Sequence, residues 1–511
     1  MAKIRKCWLF RMELTGYGLT ISDIERIVSG EKVNISTQAY KRMKASRKVV
    51  LQALEGEQLI YGLNTGVGKN KDQRISLDQI ESFNRQLIYA HCVGIEPELS
   101  VNNVRATMLI HLNNMLKGYS GAQVAIAERL LDFLNLGITP VVNGFGSVGE
   151  GDIGILSYIG LALMGEGLVD YKNKRYQARD VFELLGLNPI HLYAKDGLAI
   201  ISSNAASFSR LALLIPRLEN LLYWYDLVFG MSLEALSGNV TPLDEVVIGT
   251  KHHSGHVLSS RHILKALEGS YLFYKKSSTV QDPLSFRNAT LIHGAAYDSL
   301  SYVQKLLYNE LESSDDNPMV DISKKRIIST PHFETINVSL AIEMLNISLS
   351  HVSNASVQRM LKLGNPDFTG LSRFLIANNQ QYFGLQALQK TAATLDIEIH
   401  HSCQILSNIY YPLAGEVEDR QTNLPLILQE LEMIIEKLKN ILVIEIVYAT
   451  QALALRFPKD KELGCLTSEL FQLIFDKYGT LEDHHMLYDV IGKISKDIDN
   501  LCIRTLFQKV L

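Results

Sequence analysis

Proline is scarce in this chain, at 12 of 511 residues, tryptophan scarcer still at 2, and the 34 glycines are spread without period. Collagen-like, low-complexity and linker-rich organisations are thereby excluded. A basic surplus is also missing: 50 Lys and Arg face 54 Asp and Glu, a formal charge of −4. Nothing is left over to neutralise phosphates, so nucleic acid is not an expected partner. The five cysteines, Cys7, Cys92, Cys403, Cys465 and Cys502, are odd in number, scattered and never in a C-x-x-C pair. That excludes a disulfide framework and a zinc site, and fits a reduced, cytoplasmic protein. The most apolar long segment, Leu211 to Leu233, carries Arg217, Glu219 and Asp226, whereas a spanning helix needs about 20 largely uncharged positions. It reads as a buried helix, with no membrane partner. The N-terminus starts with the positive charge of a signal peptide, but its apolar run stops after four residues, short of the roughly seven to fifteen required. It is expected to stay on the chain.

What is present is ordinary globular material, 47% hydrophobic and 20% charged, with apolar residues at three- and four-residue spacing. Val338, Ile342, Leu345, Leu349, Val352 and Ala355 form one such stripe, and another runs from Leu424 to Leu455; both predict long helices. Strand-like stretches are short: Leu59 to Tyr61, Ile138 to Val142, and Met319 to Ile328. No α/β alternation runs along the chain, which favours packed long helices over a doubly wound sheet. The character changes near residue 200, from short elements with glycine-rich loops to long helices. The expected fold is therefore mainly α, with an N-terminal domain over 1–200 and a long-helix bundle with a helical C-terminal part over 201–511.

The densest glycine cluster, Gly144 to Asp152, follows an apolar strand-like run and precedes a helical pattern from Ile153 to Met164. Gly144, Gly146 and Gly149 spell G-x-G-x-x-G, with Asp170 in the place of a ribose-binding acid, but a dinucleotide fold needs further βαβ units and the flanks here are helical. The plainer reading is a tight turn into a helix whose free N–H groups receive an anion or a carbonyl oxygen. His252, His253 and His256 invite a metal reading, since His252 and His256 are spaced one helical turn apart. No third ligand lies nearby and Gly255 is expected to break the helix, so no metal is assigned.

Several stretches, in order, resemble the histidine, phenylalanine and tyrosine ammonia-lyases. Tyr61-Gly62-Leu63-Asn64-Thr65-Gly66-Val67-Gly68 is similar to their Y-G-x-N-T-G-x-G loop. Ile138-Thr139-Pro140 followed by Gly146-Ser147-Val148-Gly149 and Gly151-Asp152 is similar to their central motif. Gln281-Asp282-Pro283 with Ser285 and Arg287 resembles Q-D-P-Y-S-x-R, Asp316-Asn317-Pro318 resembles D-N-P, and Glu418-Asp419 falls where histidine-type members carry Q-E-D-H. The resemblance implies a helical bundle of the ammonia-lyase and fumarase-aspartase type, a homotetramer with sites assembled from several subunits, and a small amino acid or carboxylate as substrate. It implies a catalytic base at Tyr61 and a carboxylate clamp at Arg287. Phe333, in His332-Phe333-Glu334, matches a pocket-lining N-F-H, and Ala90-His91 falls where members select the ring of their substrate.

That family removes ammonia with an electrophile, a methylidene-imidazolone, made from an Ala-Ser-Gly tripeptide. Here Gly149-Glu150-Gly151 stands at that place, one residue short and without the serine that supplies the methylidene carbon. Leu284 replaces the tyrosine of Q-D-P-Y-S-x-R, and Ser202 replaces an asparagine near the prosthetic group unless Asn204 reaches back. The losses fall on the electron sink and its supports, while Tyr61, Arg287 and Glu418 remain and an acid, Glu150, appears at the start of a helix, where a carboxylate can donate a proton, accept one or anchor an amine. The expectation is an enzyme that eliminates, adds or isomerises on an amino acid or related carboxylic acid with no cofactor and no methylidene-imidazolone. Its catalytic residues would be Tyr61, Glu150 and Glu418, and its substrate contacts Arg287, His91, Ala90, Ser202, Asn204, Leu284 and Phe333. The alternative is a pseudoenzyme that binds a small carboxylate or partners an active paralogue.

Overall fold

A computed structural model of the chain describes residues 12–274, 279–377, 383–456, 462–481 and 486–499. The basic N-terminal start, Cys7 and Cys502 lie outside them. The chain divides into two compact units, each drawn from three separate stretches. The first takes Met1–Leu214, Lys305–Leu340 and Leu406–Leu428; the second takes Ile215–Gln304, Ala341–Ile405 and Gln429–Leu511.

Short elements build the first unit, and local chemistry sets their ends. Thr20 caps the helix Ile21–Val28 with a reciprocal Thr20–Asp23 box, and Ser36 and Ser100 cap Thr37–Leu54 and Val101–Met115 through side-chain oxygens, each satisfying backbone N–H groups that have no partner in the first turn. Three small antiparallel sheets lie between helices: Ile95–Glu98 with Asn143–Phe145, a three-stranded sheet of Ile138–Pro140, Leu168–Tyr171 and Lys174–Gln177, and the hairpin Met319–Asp321 with Arg326–Ile328. Asp170 sits in that three-stranded sheet, where it pairs with Arg175 at 3.1 Å, and the sheet's antiparallel order is unlike the parallel frame of a dinucleotide site. Leu59 to Tyr61, read as a strand, is instead the entrance to a turn. Leu59 is 52% exposed, and Asn64 closes the turn by accepting the Ile60 N–H at 2.7 Å and donating to the Gln58 carbonyl at 2.8 Å.

Helices dominate the second unit, including most of Ala205–Leu236 and Leu424–Arg456. Two stretches have the length and apolarity of a membrane span, Asp196–Leu236 and Leu424–Arg456, and 83% and 78% of their most apolar windows are buried inside the protein. One carboxylate from each is satisfied in the core. Glu445 takes Arg359 Nε at 2.6 Å and Nη2 at 2.8 Å, with Ser232 on Oε1 at 2.8 Å. Asp226 receives Ser259, His293, His262 and Tyr297, the full hydrogen bonding a buried carboxylate needs. Gly255 does not break a helix as expected: it lies inside Ser254–Ala266, and His252 precedes that helix, so His252 and His256 do not share a turn of it. Among the described residues no group of three metal-binding side chains occurs.

Candidate functional site

One cavity of about 530 Å³ opens in the first unit, lined by Leu59, Tyr61, Thr65, Lys71, Asp72, Glu150, Gly151, Ile153, Leu198, Ser202, Asn317, Ser329, Phe333, Val417 and Glu418. Five residues singled out in the sequence, Tyr61, Glu150, Ser202, Phe333 and Glu418, therefore meet at one place. Tyr61 comes from the turn described above. Its hydroxyl accepts the Gly68 N–H at 3.1 Å. Burial pushes the phenol above its ordinary range, the Gly68 contact opposes this, and the Glu418 carboxylate adds to it.

Glu150 projects from the glycine turn that precedes the helix Ile153–Leu163. That turn is held on several sides. Thr422 donates to the Gly149 carbonyl at 3.0 Å, and Asn423 N–H to Val148 at 2.8 Å. Gly151 N–H reaches Asn204 Oδ1 at 3.0 Å, and Asn204 Nδ2 reaches the Phe333 carbonyl at 2.9 Å. Asp152, fully buried, accepts Ser207 N–H at 2.7 Å and the hydroxyls of Ser147 and Ser207 at 3.0 Å. Burial moves Asp152 up to about 6 against those hydrogen bonds. Glu150 Oε1 is out of solvent and accepts no hydrogen bond. Burial, then the Glu334 carboxylate, push its carboxyl up, Arg420 pulls it down, Glu418 pushes again, and the result is about 8. At neutral pH Glu150 is thus mostly protonated and able to donate or to ionise when a cation arrives.

Glu418 lies on a tight hairpin in which Leu413 and Glu418 exchange backbone hydrogen bonds at 2.7 and 3.2 Å, closed by Ala414, Gly415 and Glu416 with positive φ. Ser202 faces the cavity and accepts the Asn317 N–H at 3.3 Å. Asn204 is fully buried, and both ends of its amide hold backbone. Ala90 and His91 end the helix Ile80–His91 and do not line the cavity; His91 Nδ1 sits 2.7 Å from the Leu87 carbonyl. Arg287 and Leu284 belong to the second unit, where Arg287 donates to Gln281 and Leu284 is 57% exposed. Residues not singled out in the sequence include Lys71 and Asp72 in the lining, and Thr335, Thr422 and Arg420 behind it, while Asn317 in the lining and Glu334 behind it are named there only as members of their motifs. Arg420 adjoins the motif pair Glu418-Asp419, and that adjacency was the available signal.

A mainly helical protein that gathers a tyrosine turn, a glycine turn and an acidic hairpin around one cavity is of the ammonia-lyase class, and solved ammonia-lyase structures share its fold. The model for aromatic amino acid lyases matches residues 19–476, and the chain belongs to that family. It is 32% identical to a histidine ammonia-lyase of Treponema denticola over 490 residues, 95% of this chain and 96% of that protein. Among solved structures it is similar to ergothionase, the ergothioneine-degrading enzyme of Treponema denticola in complex with desmethyl-ergothioneine sulfonic acid. The TM-score is 0.92 at 34% identity, over 96% of this chain and 99% of that one. Histidine ammonia-lyase from Trypanosoma cruzi superposes with a TM-score of 0.88 at 26% identity, over 98% and 95%.

Proposed function

We propose that this chain is a lyase that eliminates an amine from an amino-acid-derived carboxylate without a methylidene-imidazolone, and that its substrate is a betaine of the ergothioneine kind. The observation that carries the reading is Glu150, an unpaired acid in the cavity at the place where the family's tripeptide would supply a serine. The residues present do not fit the prosthetic group. Glutamate has no β-hydroxyl to lose, and a ring across Glu150 would have to join Gly151 N to the Gly149 carbonyl carbon, groups held by Asn204 and Thr422. Gly149 has a φ of +89°, and a Cβ there would fall 2.3 Å from Thr422 Oγ1, so an alanine is excluded without rearrangement.

An elimination without that electron sink needs a substrate that makes it dispensable. A base strong enough to remove a β-proton takes a proton from a primary ammonium first. A quaternary ammonium has none to give, keeps its charge, and leaves as a neutral tertiary amine with the C–N electron pair. Ergothioneine joins such a group to a carboxylate and to an imidazole ring that spreads charge developing at the β-carbon. The cavity suits its cationic end: the rings of Tyr61 and Phe333 and the carboxyls of Glu150 and Glu418 face one space, the combination that attracts alkylammonium ions. Tyr61 is the β-proton acceptor in this reading. The cation of the substrate offsets the Glu418 charge that hinders its ionisation. Arg287 holds the carboxylate from a neighbouring copy in a homotetramer, and no further cofactor is called for.

The test combines mass and turnover. Intact protein is expected at its unmodified mass without near-ultraviolet absorbance beyond its aromatic residues, and ergothioneine is expected to release trimethylamine. Glu150→Gln is expected to lower turnover by about a hundredfold, roughly the cost of removing one partner of a buried charge pair, here the carboxylate that faces the substrate's cation. A mass short by two waters within residues 146 to 151, or undiminished turnover in Glu150→Gln, would overturn the reading.

A further inference from the structure

We infer that Glu334 and Arg420 are a positioning pair that holds two opposed charges in balance beside Glu150, so that the loss of either one alone displaces its charge state and with it the pH range in which the cavity works. This deepens the preceding reading and rests on Glu150 acting in that cavity. Glu334 is anchored at the start of the helix Ile336–Leu363: its Oε1 accepts the Ile336 N–H at 3.0 Å, and its Oε2 takes Arg420 Nε at 2.9 Å. Both members are tied to the turn that carries Glu150. Phe333, before Glu334, is bound to Asn204, which holds Gly151. Thr335, after Glu334, lies 3.4 Å from the Gly149 carbonyl and 2.8 Å from Thr422, itself two residues beyond Arg420 and bonded to the same carbonyl. The pair and the acid therefore keep a fixed relation.

The charged and titratable groups around Glu150 are few. Glu334 comes from the stretch before the long helix, Glu418 and Arg420 from the hairpin, and Tyr61, Lys71 and Asp72 from the tyrosine turn. Glu334 and Arg420 act on Glu150 with opposite sign, and in the intact pair each offsets the other. Removing Arg420 leaves an uncompensated carboxylate that favours the protonated acid, whereas removing Glu334 leaves an uncompensated guanidinium that favours the carboxylate.

The full-length protein labelled with carboxyl-13C glutamate, with the Glu150 resonance assigned by its loss in Glu150→Gln, reports that charge state independently of turnover. Arg420→Gln is expected to raise the titration midpoint of Glu150 and Glu334→Gln to lower it, each by roughly half a unit to one unit. The double variant is expected near the wild-type midpoint, and Arg420→Lys, which keeps the charge, close to it. Displacements of opposite sign that cancel are not produced by general loosening of the turn. Midpoints unmoved in both single variants, or moved in the same direction, overturn the inference. Midpoints that move as expected in a protein that releases no amine support the inference and count against the elimination reading instead.

Discussion

Glu150 is expected to make ligand binding pH-dependent, in a direction that follows from its surroundings. Its carboxyl lies at about 8 in the free protein, raised above the ordinary acid range, so at pH 6.5 it is neutral and at pH 9 largely ionised. A bound alkylammonium favours the ionised form, so affinity grows as pH rises through about 8 and levels off above it. Calorimetric titration with glycine betaine is expected to give roughly tenfold tighter binding at pH 9 than at pH 6.5, since a displacement of one pKa unit corresponds to about 1.4 kcal/mol. Glu150→Gln is expected to lose that dependence, and equal affinity at both pH values in the wild type would contradict the assignment. Thr422 supports the same turn. In Thr422→Val the Gly149 carbonyl loses its 3.0 Å hydroxyl partner, at a cost of about 1–2 kcal/mol. The melting temperature is expected to fall in that variant and to be largely kept in Thr422→Ser. At this scale the residues that line the cavity were legible where they leave a local pattern: Tyr61, Ser202, Phe333 and Glu418 sit in or beside recognisable motifs, and Glu150 is conspicuous as an acid among glycines. Thr335 and Thr422 were not legible, because a lone threonine 186 or 273 residues from the carbonyl it serves carries no local mark.

Elements were legible where periodicity is long and misleading where it is short. The stripe from Val338 to Ala355 does lie in one helix, Ile336–Leu363, because three- and four-residue spacing over five turns has no other regular solution. Three apolar residues at Leu59 to Tyr61 satisfy a strand pattern equally well, and the Asn64 side chain decided for a turn. Gly255 was misread for a related reason: a glycine within a helical pattern signals either an end or a close approach, and only the partner tells which. Here the partner is Gly294, on the helix Ala289–Glu312. A Cβ on Gly255 would stand 2.0 Å from the Gly294 carbonyl oxygen, and one on Gly294 would stand 2.5 Å from the His256 nitrogen. Backbone cannot yield as a flexible side chain does, so Gly255→Ala and Gly294→Ala are each expected to destabilise by about 1–3 kcal/mol through forced separation of the two helices. Thermal melts of the two variants check this; a melting temperature equal to wild type would mean the crossing is looser than its contacts indicate.

The whole molecule departs from linear reading in one respect that a boundary near residue 200 cannot express: the chain returns to its first unit twice, through Lys305–Leu340 and Leu406–Leu428. Those returns are not decoration. Asp315 receives the Ser203 hydroxyl and the Asn204 N–H, both at 2.7 Å, Asp316 pairs with the fully buried Lys195, and Val320 N–H bonds the Tyr119 carbonyl at 2.8 Å. A polypeptide ending at Leu214 would keep the tyrosine turn and the glycine turn yet leave Lys195 a buried ammonium without its carboxylate, a defect worth about 3–5 kcal/mol on its own. It would lose the threonine bonds to Gly149 as well. The expected outcome is that residues 1–214 alone show no cooperative thermal transition and bind a hydrophobic dye, while co-expression with residues 215–511 restores a cooperative melt. A sharp, reversible transition in the isolated 1–214 fragment would refute this and would mean that the cavity's first two turns are organised before the chain returns to complete them.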